Sequence, residues 1–270
     1  MIKRFLAFLV LIMIFCCGCS MNIGKVKNEI IANTLDTITN RGKMIVGVKT
    51  DTFPFGYIDE NGEYAGYDVD LAKLIAKEIF GTVENKVEYV PVTASDRMMK
   101  LYSEEIDMII ATMSITPSRL KLLDFSDPYY IAGQALLVNT GSSIRGIRDL
   151  EGKKAITVFG STSEKSLRMA VPNAGIIGYK TYDEAYKALK EKKAEAIVSD
   201  DSILIGISLK DPSVTLLPKR YSKEPYAIAF RRGRESDDII RLVNRVIEES
   251  ARYGKLQELQ KKHGISNYQQ

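Results

Sequence analysis

From Met44 onward, short apolar runs alternate with amphipathic helical stretches, and they do so twice over. No other feature constrains the fold as tightly, because strand and helix alternating along a chain build α/β layers around mostly parallel sheets. In the first set, Met44–Val48 reads as a strand. Tyr67–Phe80 reads as a helix in which Val69, Leu71, Leu74, Ile75 and Ile79 keep a 3.6-residue period, with Asp68 as cap and Gly81 as stop. Residues 87–92 form a further strand, Ser95 caps a helix through Tyr102, and residues 106–111 form a buried strand. In the second set the strands are residues 155–159, 176–179 and 196–198. Helices follow Gly160-Ser161-Thr162-Ser163, the capping box at Thr181 to Glu184, and Asp201. Extended stretches at 129–138 and 225–230 flank the second set, and helical sequence fills 236–263. If that last segment returns to the first lobe, the chain crosses twice. The expected lobes are then residues 43–131 with 228–270, and residues 132–227 including two hinge strands.

The N-terminus reads as an address. Lys3 and Arg4 precede 13 apolar residues, 5–17, and then Gly18-Cys19. That run is short of the roughly 20 residues a membrane-spanning helix needs but fits a secretory leader, here residues 1–18. Gly18-Cys19 resembles a bacterial lipobox, with Cys16 where Leu is usual, and this implies lipidation of Cys19. The polar stretch after it, to about residue 42, reads as a tether. All three cysteines lie in this region, and His263 is the single histidine. The body therefore offers no disulfide framework and no Cys/His metal set, and a single histidine near the C-terminus argues against a Ser-His-Asp triad. Formal charge is +4, two of the positive charges sitting in the leader, which gives no footing for nucleic-acid binding. We expect no cofactor, no metal and no catalytic residue.

In open α/β sheets, ligands bind beyond the carboxyl ends of the strands. At those ends the first set presents Thr112, Ser114 and Arg119, and a guanidinium grips a carboxylate through two parallel hydrogen bonds. The second set presents Ser161, Thr162 and Ser163 at a helix start, a natural anion site or a plain cap, and Asp200, an acceptor for an ammonium or another cap. Together they suit a zwitterion, a free amino acid.

The stretch from Ala111 to Arg119 (Ala-Thr-Met-Ser-Ile-Thr-Pro-Ser-Arg) and Leu123 to Tyr130 (Leu-Asp-Phe-Ser-Asp-Pro-Tyr-Tyr) closely resembles the polar amino-acid-binding proteins of bacterial ABC importers, solute-binding family 3. Gly66-Tyr67-Asp68-Val69-Asp70-Leu71, Gly160 to Ser163, Ser199-Asp200-Asp201-Ser202 and Lys223-Glu224-Pro225-Tyr226 resemble further family segments in the same order. The resemblance implies a two-lobed periplasmic-binding-protein type II fold. It places the Thr112 carbonyl and Asp200 at the α-ammonium, and Ser114, Arg119 and the Ser163 N–H at the α-carboxylate. It also implies that Asp51, Phe53 and Phe55 line the pocket, although a turn aspartate and two core aromatics would look the same. Asp68 and Asp70 read as first-turn helix acids.

Arg97 resembles the arginine that aspartate- and glutamate-binding members use for the side-chain carboxylate, and Lys49 resembles the same group. Glutamine-binding members often carry an aromatic near Ala94, which is absent here. The expected ligand is glutamate or aspartate, with glutamine next. Expected partners are an ABC permease and its ATPase, with the chain a monomer anchored through Cys19 at the outer face of the cell membrane. The ATP site belongs to that ATPase, since no Gly-x-x-x-x-Gly-Lys-Ser/Thr loop occurs here. Rival readings are a secreted dehydratase on the same fold and a sensing module for a membrane receptor.

Overall fold

A computed structural model of the chain describes residues 33–265, so the expected leader and Cys19 lie outside the described residues. The fold is two-lobed and mixed α/β. The first lobe begins with α1 (Thr34–Arg41), β1 (Met44–Val48) and a small meander of β2 (Asp51–Thr52), β3 (Gly56–Ile58) and β4 (Tyr64–Ala65). It continues with α2 (Tyr67–Phe80), β5 (Val87–Pro91), α3 (Arg97–Tyr102), β6 (Met108–Ile109) and β7 (Leu123–Phe125). The crossing strand β8 (Tyr130–Ala132) leads to β9 (Gln134–Asn139), β10 (Lys154–Val158), α4 (Ser163–Ala170), β11 (Gly175–Tyr179), α5 (Tyr182–Lys190), β12 (Ala196–Asp200), α6 (Asp201–Lys210) and β13 (Val214–Leu216). The chain then returns through β14 (Glu224–Tyr226) to β15 (Ala229–Arg231), α7 (Asp237–Arg252) and α8 (Lys255–Lys262).

The two sheets follow one plan: β5-β1-β6-β15-β7 and β11-β10-β12-β9-β13. In each, three parallel strands are joined by an antiparallel strand that arrives from a crossing. The crossings β8 and β14 pair antiparallel, Ala132 opposite Glu224 and Tyr130 opposite Tyr226. Parallel strands need apolar cover on both faces. Leu137 and Ile156 pack with the α5 and α6 side of the second sheet, and Leu136, Val138 and Val198 pack on the other side with Leu167 of α4. The first lobe buries Val46, Leu71, Ile75, Ile239 and Val243 in one core.

Several local expectations are corrected. The stretch read as tether contains α1, whose Ile38 is fully buried, and Asn33 caps it by accepting from the Asp36 N–H at 2.7 Å. One buried isoleucine among polar residues gives no periodic signal. Asp68 does not cap α2: Gly66 stands at that position, and Asp68 points inward with no exposure. A Cβ on Gly66, at φ 122°, would lie 2.2 Å from the Phe55 carbonyl oxygen, so this close approach requires glycine. Ser95 does not cap α3, which starts after Asp96, whose carboxylate accepts from the Thr93 N–H. The final helical stretch breaks at Gly254, φ 75°.

Candidate functional site

The carboxyl ends of both parallel strand sets meet at one narrow cavity. It is lined from the first lobe by Lys49, Ala94, Arg97, Thr112, Ser114 and Arg119, and from the second by Ser161, Thr162, Tyr182, Asp200 and Ile203. Eight of the twelve expected residues are thus brought together. The other four are placed elsewhere. Phe55 is fully buried in the first-lobe core, edge-on to Tyr67, Tyr130 and Tyr226. Phe53 and Asp51 face a neighbouring cleft with Lys210, whose Nζ lies 4.5 Å from the Phe53 ring centre. Ser163 is fully buried, and its N–H donates to Ser161 Oγ at 3.3 Å, while Ser161 Oγ donates to the Val158 carbonyl. The helix start is therefore partly satisfied by its own loop, and no side-chain hydrogen bond from Thr162 at the N-cap position caps α4.

Two guanidinium groups reach the cavity. Arg119 donates to the Ser114 carbonyl at 2.7 Å and, across the cleft, to the Gly160 carbonyl at 3.0 Å. Arg97 is 3% exposed, donates to the Ala111 carbonyl at 2.6 Å, and leaves its Nε without a partner. Burial, then the like charge of Arg119, pushes Arg97 down to about 9, so it stays charged at neutral pH. Burial also lowers Arg119, against the pull of Asp200.

Lys49, 2% exposed, is neutralised locally. Its Nζ lies 2.7 Å from Asp51, donates to Thr52 Oγ1 and sits 4.8 Å from the centre of the Tyr182 ring. Burial lowers Lys49 despite Asp51; burial works the other way on Asp51, but Lys49 outweighs it and holds that carboxyl below its ordinary range. Asp51 also accepts from the Tyr182 N–H of the other lobe at 3.0 Å.

Asp200 ends β12. One oxygen accepts from the Tyr226 hydroxyl at 2.6 Å, and the other accepts from the Gln134 amide. Burial and then Glu224 push it up to about 7, against the Tyr226 hydrogen bond and Arg119. Thr112 sits at φ 46°, with its N–H held by Asp68. Tyr182 and Gln134 were not singled out as site residues from the sequence, and Glu224 and Tyr226 stood only within a family segment with no role assigned. Tyr182 opens α5 just past a strand end, a position the topology rule could have flagged.

This architecture, two α/β lobes with charged side chains at their shared cleft, is that of an extracytoplasmic-type binding protein, and the chain belongs to the bacterial extracellular solute-binding proteins, family 3, whose model matches residues 44–266. Among its relatives it is 37% identical over 253 residues to the ABC transporter glutamine-binding protein GlnH of Bacillus subtilis (strain 168), covering 93% of this chain and 92% of that one. It is 44% identical over 198 residues to a glutamine-binding protein of Geobacillus stearothermophilus, 73% and 75% of the two chains. Among solved structures it is similar to the ancestral amino acid-binding protein AncCDT-1, a precursor of cyclohexadienyl dehydratase, at a TM-score of 0.77 and 33% identity over 86% of this chain and 99% of that one.

Proposed function

We propose that this protein captures a free amino acid with an acidic side chain, glutamate or aspartate, and delivers it to an ABC permease driven by its ATPase. The carrying observation is that two guanidinium groups, the buried Arg97 and the half-buried Arg119, face one cavity and neither forms an ion pair among the described residues. Unpaired buried charge is costly, so each arginine calls for a carboxylate. An amino acid supplies one at Arg119 while its ammonium meets Asp200 and the Thr112 carbonyl from the opposite side. A second carboxylate, on the side chain, answers Arg97. Ser114, Ser161 and Thr162 complete the polar lining, with Ser163 behind them. Anchoring through lipidated Cys19 at the outer face of the membrane, after removal of residues 1–18, belongs to the same proposal.

Glutamine is the second reading. Two relatives are named for it, and Lys49, already paired with Asp51, adds less positive charge than an unpaired lysine would. The dehydratase reading has less support, since the two relatives are named as binding proteins and the solved neighbour is itself called an amino acid-binding one.

Calorimetry of the purified protein against the twenty amino acids tests both class and ligand. Glutamate or aspartate is expected to bind most tightly. Arg97→Ala is expected to weaken glutamate about 30-fold or more while moving glutamine only a few-fold. Unchanged glutamate affinity in that variant would overturn the acidic assignment, and turnover of prephenate would revive the enzyme.

A further inference from the structure

Asp200 and Glu224 are both 6% exposed, and among the described residues neither forms an ion pair. One hydrogen-bonded chain of neutral groups joins them. Ser222 donates to Glu224 Oε1 at 2.8 Å, and Thr162 donates to Glu224 Oε2 at 3.2 Å. The Gln134 amide donates both to Thr162 Oγ1, at 3.1 Å, and to Asp200 Oδ1, while Tyr226 fills Asp200 Oδ2. Gln134 Oε1 is buried with no donor at all. The network thus holds two carboxylates and an empty acceptor with no cation inside it. Its two carboxylates have no compensating charge inside the network, and either a proton or an ammonium can offset one of them.

Its position is as telling as its composition. Gln134 is the first residue of β9 and lies in register opposite Asp200, and Glu224 opens the return crossing, opposite Ala132. We propose that Glu224 is a positioning residue for amino-group recognition. Through Thr162 and Gln134 it keeps Asp200 short of compensating charge, so that capture of the ligand ammonium expels a proton to water and release takes one up. This rests on the reading that Asp200 meets the α-ammonium.

The other groups facing Asp200 are Tyr226 beside Glu224, Asp201 of α6, Arg119, Arg97 of α3 and Tyr182 of α5. Asp201 is itself paired with Arg220, so its charge is compensated. Burial and Glu224 are the two largest influences raising Asp200 toward neutrality, to about 7. Below that pH the empty site carries the proton, which must leave before the ammonium binds, so affinity falls as pH falls. Between about pH 8 and pH 6 the loss is about tenfold. Removing the negative charge of Glu224 lets Asp200 ionise at lower pH and flattens the profile.

The test is calorimetry with L-glutamate and L-glutamine from pH 5.5 to pH 8.5 in buffers of different ionisation heat, which counts protons released. Wild type is expected to release close to one proton near pH 6 and to lose about tenfold in affinity from pH 8 to pH 6. Glu224→Gln is expected to lose most of that release and most of the pH dependence, and Glu224→Asp to restore both. A wild-type slope in Glu224→Gln overturns the proposal, as does absence of proton release by wild type, which needs no variant to fold. Asp200→Asn separates the two ideas. If it binds as wild type does, the underlying reading of the amino-group site is wrong. If it loses binding while Glu224→Gln keeps the wild-type slope, only the role of Glu224 fails.

Discussion

Asp68 sits at the centre of the first lobe's side of the site without touching the cavity. Its carboxylate accepts from the Thr112 N–H at 3.0 Å and from the Tyr129 hydroxyl at 2.8 Å, and so fixes Thr112 in a left-handed conformation that a β-branched residue adopts only under constraint. Burial pushes Asp68 up to about 6 from an ordinary 3.8, although those hydrogen bonds oppose it. The folded state therefore holds the proton more tightly than the unfolded one, and stability contributed by the protonated form is lost as pH rises from about 4 through about 6. Asp68→Asn, which cannot ionise, is expected to gain about 2 kcal/mol relative to wild type between pH 4 and pH 7, read by chemical denaturation at both values. Parallel stability curves would refute this. The sequence placed Asp68 on the helix correctly, but periodicity cannot say that a first-turn acid is turned inward. That depends on the Gly66 contact with Phe55, which is nonlocal. For the same reason Arg119 and Asp200 were legible from their places after strand ends and Arg97 only from its family resemblance, whereas Phe55, implied by the same resemblance, went to the core.

Among the elements, the strands and long helices were legible because they repeat a pattern, while short pieces stabilised by a single contact were not. Helix α1 is held by Ile38 and by an Asn33 hydrogen bond to Asp238, and nothing in residues 34–41 announces either. Helix α8, which lies inside the expected helical stretch 236–263, is likewise held by a few specific contacts at the other end of the chain. Asp70 on α2 receives Lys262 at 2.6 Å, His263 at 2.8 Å and Lys73 at 3.3 Å, and His263 lies edge-on to Tyr67. Burial would raise Asp70, but the hydrogen bonds from His263 and Lys262 outweigh it and hold the carboxyl well below the ordinary carboxylate range. The lone histidine thus serves as a clasp between the first long helix and the last short one. Since the folded carboxyl is the stronger acid, the clasp stabilises above the ordinary carboxylate range and is lost as pH falls below it. Asp70→Ala is expected to cost about 2 kcal/mol and to speed amide exchange across residues 255–262 more than in the second lobe. Uniform exchange throughout the chain would mean that α8 is held by its apolar contacts, Leu256 and Leu259, alone.

At the scale of the molecule, the lobes touch through contacts that leave no room for side chains. A Cβ on Gly160 would lie 2.4 Å from the Ala94 carbonyl oxygen, and one on Gly206 only 1.8 Å from that of Phe53. Arg119 to Gly160 and Asp51 to Tyr182 are the polar links made at the same closeness. Gly206 lies inside α6, where glycine costs about 1 kcal/mol of helix stability relative to alanine, so its presence there is unfavourable for the helix alone. The approach of the Phe53 backbone accounts for it, and that approach exists only while the lobes are together. A ligand gripped by Arg119 on one side and Asp200 on the other favours this arrangement to the extent that it binds it better than an open one. Gly206→Ala should then separate two quantities that usually move together. The unliganded protein should melt no lower than wild type, because the helix improves, while glutamate affinity should fall about tenfold or more, because the closed arrangement is obstructed. Small-angle scattering supplies the independent readout: glutamate should reduce the radius of gyration of wild type and leave that of the variant nearly unchanged. If Gly206→Ala binds and compacts as wild type does, capture does not require the lobes to approach this closely at Phe53, and the charges lining the cavity act without full closure.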